Sequence, residues 1–164
     1  MADLNWNGDF WEVEGGRSLF GLDLGVYIVT ERDEEPTPRQ LESIESIDSL
    51  STELWSNLCD QARSYFERIK SATNAGANVD MRKIDDHFKL KDVLIPEIGD
   101  CADDYLVLSG ECDWEEEHGI QFLLENGNVL HCGPDTGLAV NPCWEDVVEA
   151  SSETRHQSLF ELLE

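Results

Sequence analysis

The strongest constraint on the fold is a run of apolar residues at every second position near the N-terminus. Its members are Phe20, Leu22, Leu24, Val26 and Ile28. Because successive side chains of a β-strand point to opposite faces of the sheet, this spacing places all five on one face. The other face carries Gly21, Asp23, Gly25 and Tyr27. Such a strand predicts a sheet with one buried face and one solvated or lightly covered face.

Further strands are predicted on both sides of this run. Residues 10–14 alternate in polarity, and Gly15-Gly16 after them is typical of a hairpin turn onto the strand. Later strands are predicted at residues 90–95, 105–111, 119–124 and 128–132. The last two are joined by Asn126-Gly127, a strong hairpin signal. Tight turns of this kind join antiparallel strands.

Helices are predicted in the middle of the chain. Thr37, Pro38 and Gln40 form a start signal, because threonine caps, proline suits the first helical position and Gln40 completes a capping box. Asp48-Ser49 breaks the helix, and a longer apolar stripe at helical spacing follows. That stripe consists of Leu50, Leu54, Leu58, Ala62, Tyr65 and Ile69.

The order of these elements predicts an α+β fold. We expect an antiparallel sheet of about five to seven strands, with two or three helices packed on one face. A length of 164 residues fits one domain. Residues 142–164, with a short terminal helix around residues 159–163, are expected to form a peripheral C-terminal extension of that domain.

Charge excludes several classes of function. Thirty-six acidic residues against eleven lysines and arginines give a formal charge of −25. Such a surface repels the phosphates of nucleic acids and anionic lipids, so no nucleic acid and no membrane is expected as a partner. A basic protein would be attracted. The alternatives are that the acidity serves solubility or adaptation to salt.

The cysteines bear on the compartment. There are five, an odd number, and no CxxC pair occurs. Residues 1–5 carry no basic region and no apolar stretch, so no secretory signal is predicted there. Free, partly buried thiols in the reducing cytoplasm are the prediction.

The densest group of chemically active side chains lies at residues 110–119, between two predicted strands. We predict a binding surface there, with the acidic residues making contacts and the indole as an anchor if it is exposed. The predicted binding residues are Asp113, Trp114, Glu115, Glu116, Glu117 and His118. No catalytic residue, metal ligand or cofactor is assigned.

Other interpretations of this segment stay open. Cys112 and His118, with His131 and Cys132, are ligand types that zinc accepts, although adjacent strand residues point to opposite faces. Cys112 and His118 could also serve a small hydrolase, with Glu117 as a second acid or base. A purely structural turn is the third interpretation, in which Trp114 plugs the sheet edge and Gly119 takes a positive φ. His87, His156, Asp135 and the acids at 100, 103 and 104 are predicted to be exposed and solvated.

A family resemblance rests on this same region. Residues 90–95 lead through Tyr105 to Cys112-Asp113-Trp114-Glu115-Glu116-Glu117-His118-Gly119-Ile120, and His131-Cys132-Gly133 follows. This stretch resembles a bacterial family of unknown function that carries a C-x-W-x-x-E-H-G-type turn between two strands. The resemblance covers residues 19–135 and implies no established catalytic activity. By analogy, small acidic proteins of this kind include immunity proteins, which block a toxin by binding it.

Overall fold

The computed structural model describes residues 2–72, 78–98 and 102–140. Within these ranges the chain forms eight strands, two α-helices and two short 3-10 helices. The strands are β1 (Leu4–Trp6), β2 (Trp11–Val13), β3 (Arg17–Leu19), β4 (Leu22–Ile28), β5 (Phe88–Ile95), β6 (Tyr105–Cys112), β7 (Ile120–Glu125) and β8 (Asn128–Gly133). The helices are α1 (Pro38–Asp48) and α2 (Glu53–Ala72). The predictions for residues 142–164, Asp100, Cys101 and His156 lie outside the described residues.

The strands form one sheet in the order β1-β2-β4-β5-β6-β7-β8, with β3 also paired to β4. Every pairing is antiparallel except that of β4 with β5. The parallel pair follows from the connection, because α1 and α2 lie between these strands and a long crossover allows parallel pairing. The predicted α+β class is confirmed. The sheet has eight strands, whereas about five to seven were predicted. The sequence did not indicate β1 and β3 because strands of three residues are too short to show an alternating pattern.

The beginning of β4 differs from the prediction. Phe20 (φ +56°) and Gly21 (φ +76°) form a two-residue turn between β3 and β4. Two consecutive positive φ values are typical of the turn that matches strand twist in a hairpin. Phe20 therefore precedes the strand, and its ring packs against Trp55 at a centroid distance of 5.3 Å. Gly15-Gly16 leads into β3 instead of β4, while β2 pairs with the far end of β4.

The start of α1 is as predicted. Thr37 Oγ1 accepts a hydrogen bond from the Gln40 main-chain N–H at 3.2 Å, and Gln40 Oε1 accepts one from Thr37 N–H at 3.0 Å. Gln40 is 3% exposed, and its amide also donates to the carbonyl oxygen of Val29 at 2.6 Å. The capping box therefore ties the helix to the end of β4. The break after Asp48 is also found. The apolar stripe of α2 is found from Leu54 onward, whereas Leu50 precedes the helix, which begins at Glu53.

The helices cover one face of the sheet, where the main core lies. Leu58 and Phe66 of α2 are fully buried there with Val26 and Leu108 from the strands. A second, smaller apolar cluster lies on the other face. It consists of Ile98, Tyr105, Val107, Leu123, Leu138 and Ala139. The chain at residues 135–140, which includes a 3-10 turn, packs against this second face through Leu138 and Ala139.

Asp104 departs from the prediction of a solvated loop acid. Its two carboxylate oxygens accept hydrogen bonds from Ser43 Oγ and Ser46 Oγ, both at 2.6 Å. Residues three apart on a helix face the same side, so α1 presents both hydroxyls together. Asp104 thereby joins the beginning of β6 to α1.

None of the helices in the described ranges is both long enough and apolar enough to cross a membrane.

Candidate functional site

The turn between β6 and β7, residues 113–119, contains every residue of the predicted binding set. Gly119 has φ +68°, as predicted, and its N–H donates to the carbonyl oxygen of Glu115 at 2.8 Å. A Cβ at Gly119 would lie 2.3 Å from the carbonyl oxygen of Gly110. The turn therefore closes tightly against β6, and only glycine fits this position without displacing the main chain.

Trp114 is buried, with 4% of its surface exposed. Its indole packs against Tyr65 at 6.0 Å and Phe66 at 5.6 Å between ring centroids, both from α2. Cys112, two residues earlier, is buried on the same side. The indole continues the inward-facing positions of β6, so it cannot serve as an exposed anchor for a partner. Its role is to attach the turn to α2.

His87 was predicted to be exposed and without a role, and this is wrong. Its side chain is 18% exposed. Its Nε2 lies 3.0 Å from the main-chain nitrogen of Asp80, and its Nδ1 lies 2.8 Å from Asp113 Oδ2. Because a main-chain N–H can only donate, Nε2 accepts, which assigns the proton of a neutral ring to Nδ1. His87 therefore donates to Asp113, and the Asp113 N–H donates in turn to the His87 carbonyl oxygen at 2.9 Å.

His118 lies at the exposed side of the turn. Its Nδ1 is 3.4 Å from Glu115 Oε1, and its side chain is 52% exposed. Its carbonyl oxygen accepts a hydrogen bond from the Asp135 N–H at 3.3 Å, which joins the turn to the chain after β8. Glu116 and Glu117 are exposed, and neither forms an ion pair with a described residue. The turn is thus held from three sides while two carboxylates point into solvent.

Beside the turn lies a cleft of about 800 Å³. Its walls are the turn, the end of β6 and the chain leading into β5. Six carboxylates, two imidazoles and one lysine line it. These charged or titratable residues are Asp86, His87, Lys89, Glu111, Asp113, Glu115, Glu116, Glu117 and His118. Lys89 is the lysine in the lining, and Lys91 outside the lining pairs with Glu111. The acids outnumber these two lysines, so the cleft concentrates negative charge in a concave surface.

Three charged or titratable residues of this cleft were missed in the sequence because they are distant from the turn along the chain. They are Asp86, His87 and Lys89. Glu111 lies in the segment 110–119 but was not among the predicted binding residues. Antiparallel pairing places Phe88 opposite Cys112 and Lys89 opposite Glu111. Both strands were predicted, but their pairing was not. This pairing puts the residues before β5 next to those after β6.

The geometry does not favour a thiol nucleophile at this turn. Burial raises the pKa of Cys112 to about 11, so the side chain is a thiol at neutral pH, whereas the thiolate is the reactive form. Its Sγ lies 3.8 Å from the carbonyl oxygen of Glu115, and the His118 ring is directed to Glu115 as well. An imidazole placed to activate the thiol is not found in this part of the structure.

The metal interpretation also lacks a ligand set. Cys132 is buried in the main core, and burial lowers the pKa of the half-buried His131 beside it. Within residues 2–72, 78–98 and 102–140, no three side chains of histidine, cysteine, aspartate or glutamate are placed to hold one ion. The described cysteines, Cys59, Cys112 and Cys132, are buried thiols.

Comparison with known proteins gives the family. The α+β sheet and its acidic turn lie within residues 2–140, which match a family described as a domain of unknown function, DUF6985. The chain belongs to this family. No curated protein and no solved structure matches the chain.

Proposed function

We propose that the protein is a non-enzymatic binding module that accepts a cationic segment of a basic protein in the acidic cleft. The observation that carries this proposal is the cleft of about 800 Å³, lined by six carboxylates and one lysine. Concave surfaces of one charge sign focus the electrostatic field and raise the local concentration of an oppositely charged partner. Arginine and lysine side chains are the protein groups with the matching charge.

The rigidity of the turn supports this proposal. Trp114 holds the turn to α2, the Asp113–His87 contacts hold it to β5, and Gly119 closes it onto β6. A loop that is already ordered loses little conformational entropy on binding, so more of the contact energy is available for affinity. Glu116 and Glu117 lie at the exposed end of this frame, where a partner can reach them.

The whole-chain charge supports the same class of partner. A net charge of −25 accelerates encounter with a basic protein and makes that encounter sensitive to salt. An immunity-like role, in which the module blocks a basic toxin by occupying its cationic surface, is the particular form that we propose. We also propose that the protein is bacterial and cytoplasmic. We further propose that residues 1–164 form one domain and that the C-x-W-x-x-E-H-G-type turn is a motif of its family. Three buried thiols support the reducing compartment.

Neutralising three acids of the turn tests the proposal. The variant Glu115→Gln, Glu116→Gln, Glu117→Gln removes three charges at the cleft. The matched variant Glu14→Gln, Glu45→Gln, Glu67→Gln removes three exposed charges elsewhere and has the same net charge. Binding of an oligoarginine peptide is measured by calorimetry at low salt. Exposed charge contacts contribute about 0.2–1 kcal/mol each, so the turn variant is expected to bind roughly tenfold more weakly.

The matched variant separates a site from general attraction. It is expected to retain the affinity of the wild type to within about twofold, because its charges lie outside the cleft. If both variants bind the peptide equally more weakly than the wild type, the peptide responds only to net charge. That result would contradict a binding site at the cleft and would favour the interpretation that the acidity serves solubility and the turn is structural.

A further inference from the structure

A second cavity lies on the face of the sheet opposite the helices. It has a volume of about 600 Å³ and is bounded by the loop after β1, the surface of the sheet and the chain at residues 135–140. We call it the sheet groove. Phe10, Tyr27, Asp92, Val107, Ser109 and Asp135 are the lining residues on which the inference rests. The acidic turn contributes no residue to it, so this cavity is separate from the cleft described above.

Asp92 forms the base of the sheet groove. It lies on β5 and is half-buried, yet its carboxylate makes no hydrogen bond or ion pair with any described residue. Burial raises the pKa of Asp92. The positive charge of Lys91, which is paired with Glu111, lowers this pKa, and the negative charge of Asp135 raises it. Tyr27 also faces this carboxylate. An ionised carboxylate without a partner costs folding free energy, so its position calls for a positively charged ligand.

Ser109 gives independent support. It is the partner of Asp92 in the register between β5 and β6, and 8% of its surface is exposed. Ser109 lines the groove, and its hydroxyl has no hydrogen-bond partner among the residues that the structure describes. The rest of the residue is buried, so the accessible hydroxyl is held in place and is available to a ligand in the groove.

Gly25 allows two oxygen atoms to converge. A Cβ at this position would lie 2.7 Å from Asp92 Oδ1 and 2.9 Å from Tyr27 Oη. The glycine therefore leaves room for the carboxylate and the phenol to lie together over the main chain of β4. The phenol is further positioned by Phe10, whose ring centroid lies 6.2 Å from that of Tyr27.

These features combine opposite properties in one cavity. The base is negatively charged and rich in oxygen, through Asp92, Asp135 and Ser109, and one wall is aromatic, through Phe10 and Tyr27. Carboxylates bind an ammonium group by charge-assisted hydrogen bonds, and aromatic faces attract cations and pack against the adjoining methylene groups. Three carboxylates line the cavity, those of Asp9, Asp92 and Asp135, together with two hydroxyls. Calcium requires six to eight oxygen ligands, and no three acidic, histidine or cysteine side chains among the described residues are placed to hold one metal ion.

We propose that the sheet groove binds a primary alkylammonium group, with Asp92 and Asp135 supplying the charge and Phe10 and Tyr27 packing against the alkyl chain. The ammonium group belongs either to a free amine or to a lysine side chain, since both present the same chemistry. Asp135 Oδ1 accepts a hydrogen bond from the Gly137 N–H at 2.9 Å, which orients the carboxylate. The other oxygen, Oδ2, remains available for the ammonium group.

The test is a titration of the full chain with n-butylammonium, followed by NMR of the main-chain amides. We expect saturable shifts at residues 27, 92 and 109, and affinity weakened by about tenfold or more in Asp92→Asn. n-Butanol, which has the alkyl chain without the charge, is expected not to bind. Shifts from n-butanol of the same size, an unchanged affinity in Asp92→Asn, or binding of calcium at these residues would overturn the proposal.

Two further arms complete the design. Nα-acetyl-lysine amide is titrated in parallel: binding equal to that of n-butylammonium supports a lysine side chain as the source, and binding of n-butylammonium alone supports a free amine. The Glu115→Gln, Glu116→Gln, Glu117→Gln variant is expected to bind n-butylammonium as the wild type does. The proposal for the sheet groove and the proposal for the acidic cleft can therefore be contradicted independently of each other.

Stability of Asp92→Asn provides the folding control. Because the pKa of Asp92 is raised in the folded protein, the folded state holds the proton more tightly than the unfolded chain does. The ionised carboxylate therefore lowers stability at neutral pH, and this loss disappears as the pH falls through the raised pKa. We expect Asp92→Asn to unfold at a higher temperature than the wild type at neutral pH, with the difference shrinking in acid. If Asp92→Asn unfolds at a lower temperature than the wild type at neutral pH, the claim that the Asp92 carboxylate lacks a partner is contradicted.

Discussion

Replacing Trp114 with alanine is expected to lower the free energy of unfolding by about 3–5 kcal/mol, the usual cost of removing a large buried aromatic side chain. The indole is 4% exposed and contacts Tyr65 and Phe66 of α2. Its loss leaves a cavity between the turn and the helix, and the turn loses its main apolar attachment. Chemical denaturation monitored by circular dichroism measures this change.

Trp114→Phe is the matched control. The indole Nε1 is buried without a hydrogen-bond partner among the described residues, so replacing it with phenylalanine sacrifices no polar contact. We expect this variant to lose about 1–2 kcal/mol, less than the alanine variant, because a ring still fills most of the space. If both variants unfold like the wild type, the indole does not hold the turn to α2.

Gly119→Ala is expected to destabilise the protein by about 2–5 kcal/mol. A positive φ costs a residue with a side chain about 1–2 kcal/mol. A Cβ that must displace main-chain atoms adds about 1–3 kcal/mol. At Gly119 the φ is +68° and the nearest obstacle is the Gly110 carbonyl oxygen at 2.3 Å, which is held in the pairing of β6 with β7.

Gly21→Ala separates the two contributions. Gly21 has φ +76°, but a Cβ there would meet no atom within 4 Å. This variant is therefore expected to show the backbone cost alone, and the difference between the two variants measures the close approach at Gly119. Equal losses of stability in both would mean that the turn does not close against β6 as described.

The local elements were predictable because their signals lie within short segments. The capping box at Thr37 and Gln40 needs only four residues, and the stripe of α2 needs one helical period. The alternation from Leu22 to Ile28 identified β4 for the same reason. By contrast, β1 and β3 pair over three residues each, which is too few for a period of two to be distinguished from chance.

Only the part of the candidate site that is continuous in sequence could be predicted. The segment from Asp113 to His118 was identified by its density of charged and titratable side chains, but the wall across the cleft comes from residues 86–89. The burial of Trp114 depends on where α2 packs, and the contacts of His87 depend on strand register. Asp92 gave no signal at all, since a single acid in a strand is unremarkable until its neighbours on the sheet are known.

The most direct test of the acidic cleft is to locate bound cationic peptide on the protein. Main-chain amide shifts of the full chain are recorded with oligoarginine peptide at low salt and again after addition of salt, which screens exposed charges within about a Debye length. We predict that the largest shifts fall at residues 86–89 and 111–119 and disappear with salt. Shifts spread evenly over the acidic surface, with the turn no more affected than Glu45 or Glu67 on the helices, would contradict the proposed binding site.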